Sequence, residues 1–226
     1  QDFGVGEFPD LIKMVDWAVA TGQKVIQVLP VNDTTMTHTW TDSYPYNANS
    51  CYALHPMYLR LSELGTLADS ERQAHFDALA KELNALDQID YERVNNAKNE
   101  FTRELFKQVE RSVTRTAEFK QFVADNASWL KPYAAFCILR DENGTPEWGD
   151  YAAYTPAKVE VLLLENKQQA NYVYWIQFNL HKQLQHVKEY AHAHGVSLKG
   201  DIPIGISRTS VDAWTFPRLF NLDSQA

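Results

Sequence analysis

Cysteine is nearly absent from this chain, with only Cys51 and Cys137 among 226 residues. Two are too few for a disulfide framework, and their separation matches no metal-ligand spacing. The expectation is two free, buried thiols in a reducing, cytoplasmic setting. The seven histidines form no His-Glu-x-x-His pattern, and His192 and His194, near a helix end, read as solvated groups facing the helix dipole. No structural metal and no cofactor are expected. An excess of positive charge is also missing. The net charge is −8, with lysines and arginines scattered along the chain, which argues against nucleic acid or an anionic membrane surface as partner. No apolar run approaches the length of a membrane span. No signal peptide is visible, although the chain opens at Gln1 rather than Met, so a leader can lie outside it. There is no tandem repeat, low-complexity tract or flexible linker.

What remains is an ordinary soluble composition. Hydrophobic residues make up 45% and charged residues 22%, enough for a core. Aromatic residues reach 12%. Most of these rings read as core, but Trp40, Tyr44, Tyr46, Trp148, Tyr151 and Tyr154 fall in polar loops. Sugars present C–H faces that lie against rings, and a Tyr hydroxyl adds a hydrogen bond.

The two most informative stretches are Val25-Ile-Gln-Val-Leu-Pro30 and Val196-Ser-Leu-Lys-Gly-Asp-Ile-Pro-Ile-Gly-Ile206. Each is a short apolar strand entered from an amphipathic helix through a glycine and ended by a proline. Gly22 and Gly195 fit left-handed helix C-caps, and the runs fit buried parallel strands. A βαβ unit needs only some thirty-odd residues, so at least one further strand is expected between them, with a large helical insertion. This grammar predicts an α/β fold, either an open sheet or a barrel. In a barrel, chemistry sits where strands end. Asp201 lies at one such end, and the polar loop 30–50 follows the other. Twenty irregular residues between apolar anchors point to a functional loop.

The periodicity predicts helices over 7–20, 70–83, 95–123, 127–140 and 168–193. Ser70 is the expected N-cap of the second, with Gln73 at the capping-box position. Thr155-Pro156 reads as an N-cap and first helical residue of a further helix. Residues 57–64 suit a short helix or strand-like segment, 88–92 a short strand, and 145–154 an aromatic loop. Residues 221–226 are turn-like. Two or three strands cannot close a barrel of eight, so the chain reads as a piece of a larger protein.

These motifs, taken in order, resemble the 4-alpha-glucanotransferases of glycoside hydrolase family 77, the amylomaltases or disproportionating enzymes. Phe3-Gly-Val-Gly-Glu-Phe8 is similar to that family's opening segment, and Val25-Ile-Gln-Val-Leu-Pro-Val-Asn32 to its first-strand motif. Asp42-Ser-Tyr-Pro-Tyr46 with Ser50, Ala53 and His55-Pro56 resembles its loop signature. Ile89-Asp-Tyr91 with Val94 and Lys98, and Trp129-Leu130 with Tyr133-Ala134 and Phe136, resemble two further segments of the family. Lys199-Gly-Asp-Ile-Pro-Ile204 with Ser210-Val-Asp-Ala-Trp214 resembles a later strand-end motif. The extra Tyr44, and Asn32-Asp-Thr34 in place of Asn-Pro-Thr, resemble the longer enzymes of plant cytosol and some bacteria.

The resemblance implies a partial (β/α)8 TIM barrel. The first strands lie within residues 1–226, the N-terminal portion of a catalytic domain, and about 65–165 form a mainly helical insertion. It implies transfer of α-1,4-glucan segments or glucosyl units between maltose or malto-oligosaccharides and glucan acceptors. The retaining chemistry needs two carboxyl groups about 5–5.5 Å apart. The family's nucleophile Asp, acid/base Glu and stabilising Asp belong to motifs found nowhere in residues 1–226. No catalytic residue is therefore assigned here, and these groups are expected beyond Ala226. Tyr46 is expected to stack beneath a sugar, and Asp201 to hydrogen-bond an Arg or substrate hydroxyls beside the nucleophile, the two converging on one rim. The plainer alternatives are a loop Tyr packed on that rim and an Asp capping the turn after its strand. Asp42, Ser43, Pro45 and Ser50 read as shaping the loop, and Asp212 and Trp214 as structural. Other functions compatible with the chain are an α-amylase-clan hydrolase and a non-catalytic carbohydrate-binding module.

Overall fold

The computed structural model describes residues 3–144 and 151–221. Trp148 and the end of the chain beyond Asn221 lie outside the described residues. The described part is mainly helical, with two strands, β1 (Val25–Gln27) and β2 (Ser197–Lys199). The helices are α1 (Leu11–Ala20), α2 (Ser70–Asn84), α3 (Tyr91–Val113), α4 (Ala117–Asp125), α5 (Ala127–Asn143), α6 (Pro156–Glu165), α7 (Lys167–Ala193) and α8 (Val211–Thr215). The chain divides into two compact units. The first comprises Gln1–Val31, Leu54–Val109 and Asn179–Ile202, and the second Asn32–Ala53, Glu110–Phe178 and Pro203–Ala226.

In the first unit, α1 and α7 end the same way. Gly22 and Gly195 take left-handed φ values of 75° and 69°. The amide of Gln23 donates to the Ala18 carbonyl and that of Gly22 to Val19, just as Val196 donates to Ala191 and Gly195 to His192. This is the paired hydrogen-bond pattern of a Schellman cap, which a glycine enters without a Cβ penalty. Each cap delivers the chain into a strand. β1 and β2 pair in parallel, Val25 opposite Ser197 and Gln27 opposite Lys199. The ladder continues through the Val28 amide to the Lys199 carbonyl at 3.0 Å. Both strands therefore leave the ladder along one edge, and Asp201 follows β2 by two residues. Val15, Ala18, Ile26, Ala191 and Val196 form the apolar core behind the strands.

The strands depart from expectation in three ways. They are three residues long, shorter than the run of four to seven residues expected of each. They pair directly, with no further strand among the described residues, and 88–92 runs into α3 instead of forming one. They are also less buried than expected. In β1 only Ile26 is buried and Val25 is 55% exposed, and no residue of β2 is fully buried. Apolar content alone cannot tell a strand covered on both faces from one covered on a single face.

The helices follow the periodicity more closely. The 95–123 zone is two helices, broken where the Thr116 hydroxyl caps α4 by accepting from the Phe119 amide. The cap of α2 is Asp69, not Ser70. Its carboxylate accepts from both Glu71 and Arg72 amides, while Gln73 accepts instead from the Leu67 amide. Thr155 caps α6, with Pro156 in its first turn. The 57–64 stretch holds two 3₁₀ turns, Pro56–Tyr58 and Leu61–Glu63.

A buried ion cluster fastens those turns within the first unit. Lys98, 3% exposed, donates to a Glu7 carboxylate oxygen and to the carbonyls of Met57 and Leu59, the latter two at 2.7 and 2.9 Å. Arg60 bonds the other Glu7 oxygen at 3.0 Å and Asp10 at 2.6 Å. Both Glu7 oxygens are thereby matched to cations, as a buried carboxylate requires.

In the second unit, α5 packs against α4, α6 and α8. It is buried from Leu130 to Arg140 with little relief, the mark of a helix apolar on every side. Phe178 meets Phe119 and Phe122 in edge-to-face contacts with centroids 5.6 and 5.5 Å apart.

Candidate functional site

The polar loop 32–53 is held from below by a buried node in the second unit. Asp33 is fully buried. One carboxylate oxygen accepts from the Thr35 amide and hydroxyl at 3.0 and 2.6 Å. The other accepts from the Tyr133 hydroxyl on α5 at 2.8 Å. Arg140, two turns further along the same face of α5, donates to the Thr35 carbonyl at 2.9 Å. The Asn49 amide donates to that same carbonyl. The loop's two ends meet here too, since the Asn49 backbone amide bonds the Asp33 carbonyl at 2.7 Å.

Electrostatics reinforce this arrangement. Burial, with the Asp33 carboxylate beside it, pushes the Tyr133 phenol well up, so it remains a donor. Burial works against the Arg140 charge, but Cys137, Asp141 and Asp33 outweigh it and raise its pKa. Burial likewise opposes ionisation of Asp141, but the His38 hydrogen bond and the Arg140 charge prevail, holding this carboxyl at about 2. The Cys137 thiol is pushed up to about 12, chiefly by burial. Cys51 is exposed rather than buried as expected. Partial desolvation and a hydrogen bond to Asp212 push it up to about 11. Neither thiol has the lowered pKa of an activated nucleophile.

Above the node the loop is tied by Asp42, which is buried. One carboxylate oxygen collects three successive backbone amides, those of Met36, Thr37 and His38, at 3.0, 2.9 and 2.7 Å. His38 takes a positive φ of 59° within this cradle. The Thr34 hydroxyl donates to the Asp42 carbonyl at 2.5 Å. Ser50 accepts from the Tyr52 and Ala53 amides. Asp42 and Ser50 thus do the shaping work expected of them.

From this base, Tyr44 to Asn47 make a tight turn closed by the Asn47 amide on the Tyr44 carbonyl at 3.1 Å. Pro45 presets φ at the turn's second position. The turn puts the Tyr44 and Tyr46 rings 5.7 Å apart at 47°. They line an open groove of about 560 Å³ with Thr41, Asn47 and Ile204 to Ile206. The two walls are joined by a parallel bridge between Ala48 and Ile206 and by the Ser207 amide on the Ala48 carbonyl at 2.9 Å. A groove with ring faces, hydroxyls and an amide on one rigid turn can hold a sugar ring.

Asp201 belongs to the first unit. It is half-buried, and one oxygen accepts from the following Ile202 amide at 2.9 Å, the bond the turn-capping alternative requires. Asp212 accepts from the Cys51 amide at 2.7 Å. Trp214, 8% exposed, donates to the Tyr151 carbonyl at 2.8 Å and meets Tyr154 edge to face. Both fit the structural role expected of them. A second cavity of about 670 Å³ lies beside Tyr154, Trp214 and Phe216. Among the described residues no three His, Cys, Asp or Glu cluster as metal ligands would, and no helix is long and apolar enough to cross a membrane.

Sequence reasoning missed the node. Asn32-Asp-Thr34 and Tyr133 stood out only as motif positions, and Arg140 not at all. No local pattern signalled it, since Asp33 stands between Asn32 and Thr34 in the polar loop and Arg140 is followed by Asp141 and Glu142.

Comparison with known proteins extends this picture. The family model for the 4-alpha-glucanotransferases of glycoside hydrolase family 77 matches residues 1–226. The chain is 40% identical over 230 residues to the 4-alpha-glucanotransferase DPE2 of Oryza sativa subsp. japonica, covering 99% of this chain and 24% of that protein. It is 32% identical over 226 residues to the 4-alpha-glucanotransferase of Chlamydia muridarum, covering 96% of this chain and 41% of the relative. In structure it matches the amylomaltase of Streptococcus agalactiae, solved in complex with acarbose, at a TM-score of 0.79 and 24% identity. That match covers 99% of this chain and 45% of the other. The chain thus spans less than half the length of these relatives. A motif set that runs in family order, and a family match from one end of the sequence to the other, make this chain a member of the 4-alpha-glucanotransferases of glycoside hydrolase family 77.

Proposed function

We propose that residues 1–226 form the substrate-binding, N-terminal portion of a TIM-barrel catalytic domain. The complete protein transfers α-1,4-glucan segments or glucosyl units between maltose or malto-oligosaccharides and glucan acceptors in the cytoplasm. The observation that carries this reading is the Tyr46 groove, an aromatic sugar-sized surface on a loop fixed by Asp33, Tyr133, Arg140 and Asp42. It occurs in a chain that belongs to a glucanotransferase family.

The mechanism assigned is retaining double displacement. One carboxylate attacks the anomeric carbon while a second carboxylic acid protonates the departing oxygen. That second group then deprotonates the incoming sugar hydroxyl, which attacks the glycosyl-enzyme. Polypeptide outside residues 1–226 supplies both groups. This portion contributes Tyr46, whose ring lies beneath a glucosyl unit, and Asp201, which hydrogen-bonds substrate hydroxyls or an Arg. Aromatic loops shield the intermediate from water, so a sugar hydroxyl competes as acceptor.

Incubating the complete protein with maltotriose tests the reading. Transfer yields glucose together with oligosaccharides longer than the substrate. Release of glucose and maltose alone, with nothing longer, would identify a hydrolase instead, and binding without turnover a carbohydrate-binding module.

A further inference from the structure

The groove holds a second ring to which no role has been given. Tyr46 is half-buried and anchored, whereas Tyr44 is 61% exposed on the same turn, and Ile204 opposite is 92% exposed. The two rings are tilted rather than stacked, so neither covers the other's face. An exposed aromatic and an exposed aliphatic facing one groove make apolar surface of the kind that a ligand covers. The turn hydrogen bond, Pro45 and the Ala48–Ile206 bridge fix both walls before anything binds. Such preorganisation lowers the ordering cost of binding. Thr41 and Asn47, both exposed on the same rim, offer a hydroxyl and an amide to sugar hydroxyls.

We propose that Tyr44 is a specificity-determining residue, whose ring carries the glucosyl unit next to the one on Tyr46, so that the groove reads two consecutive units of an α-1,4-glucan. This rests on the glucan-binding reading of Tyr46. A flat ring on a closed turn gives a sugar face a platform without a charged partner. The Tyr44 contribution is binding shared by ground state and transition state, so it falls on KM rather than on kcat.

The test compares the complete protein with its Tyr44→Ala and Tyr44→Phe variants, using maltotriose and maltoheptaose as substrates. Acarbose binding by calorimetry provides a readout without turnover. Tyr44→Ala is expected to raise KM and weaken acarbose on the order of tenfold, with kcat held within about twofold. Tyr44→Phe, which keeps the ring, recovers most of the affinity. Unchanged KM and acarbose affinity in Tyr44→Ala would overturn the proposal, and a lowered melting temperature with unchanged affinity would show the ring packed against protein instead. If the wild type fails to disproportionate maltotriose yet binds acarbose, and Tyr44→Ala weakens that binding, the transferase reading falls and this one stands.

Discussion

Replacing Asp201 with alanine in the complete protein should lower turnover on maltotriose by roughly 100-fold while leaving the fold intact. A hydrogen bond from a charged group to a substrate is worth about 1.5–3 kcal/mol, and each 1.36 kcal/mol is tenfold in rate. The fold should survive because Asp201 lies outside the core. It is half-buried beyond the end of β2, and the ladder and Schellman caps before it use backbone groups and glycines. Its bond to the Ile202 amide is local and within one residue. Asp201→Asn separates the two readings of this residue, since Asn can still accept from that amide but carries no charge. If the carboxylate serves substrate, Asn is nearly as damaging as Ala. If it only caps the turn, Asn behaves as wild type. Rates and circular dichroism on the three proteins check this, and near-normal activity in Asp201→Ala would remove the residue from the site.

The second large effect is on stability. Lys98→Ala should destabilise the complete protein by about 3–5 kcal/mol, the cost of breaking a buried ion pair by removing one partner. The ammonium holds a Glu7 oxygen and the carbonyls of Met57, in the first 3₁₀ turn, and Leu59, just after it. Glu7 keeps Arg60, but one of its oxygens loses its buried cation. Lys98→Met fills the space better and still leaves the carboxylate, so it should recover little. Urea unfolding followed by tryptophan fluorescence measures this. A shift below about 0.5 kcal/mol, the usual range of a surface substitution, would mean that the cluster adds nothing.

Local chemistry was legible wherever the chain decided it alone. Gly22, Gly195 and the Thr155-Pro156 pair declare their helix ends, because a left-handed cap needs glycine and a first turn tolerates proline. The long run to Ala193 declares α7 by its period. Adjacent good caps defeat such reading. Asp69 displaces Ser70 because its carboxylate reaches two amides at once. Strand length and exposure were not legible, since what covers Val25 is set by packing and not by its own apolarity. Contacts between distant residues were invisible for a similar reason. Tyr133 meets Asp33 across 100 positions and Lys98 meets Glu7 across 91, and no periodicity links them. Lys98 and Asp33 stand in the sequence only as motif positions, and only the fold shows that each is buried and matched.

The site was legible in part. The aromatic loop and its Tyr46 stand out from their composition, and Asp42 from its place in the motif. Asp42, Pro45 and Ser50 announce part of the loop's rigidity, but the part that comes from α5 through Tyr133 and Arg140 is not signalled by the loop's own residues.

The central claim is that the loop ring at Tyr46 meets a glucosyl unit. The most direct measurement is calorimetric affinity of the complete protein for acarbose, compared across wild type, Tyr46→Phe and Tyr46→Ala. The account predicts that Phe, which keeps the ring, stays within a few-fold of wild type, and that Ala weakens binding by about tenfold or more. An alanine variant that binds acarbose as tightly as wild type would contradict it.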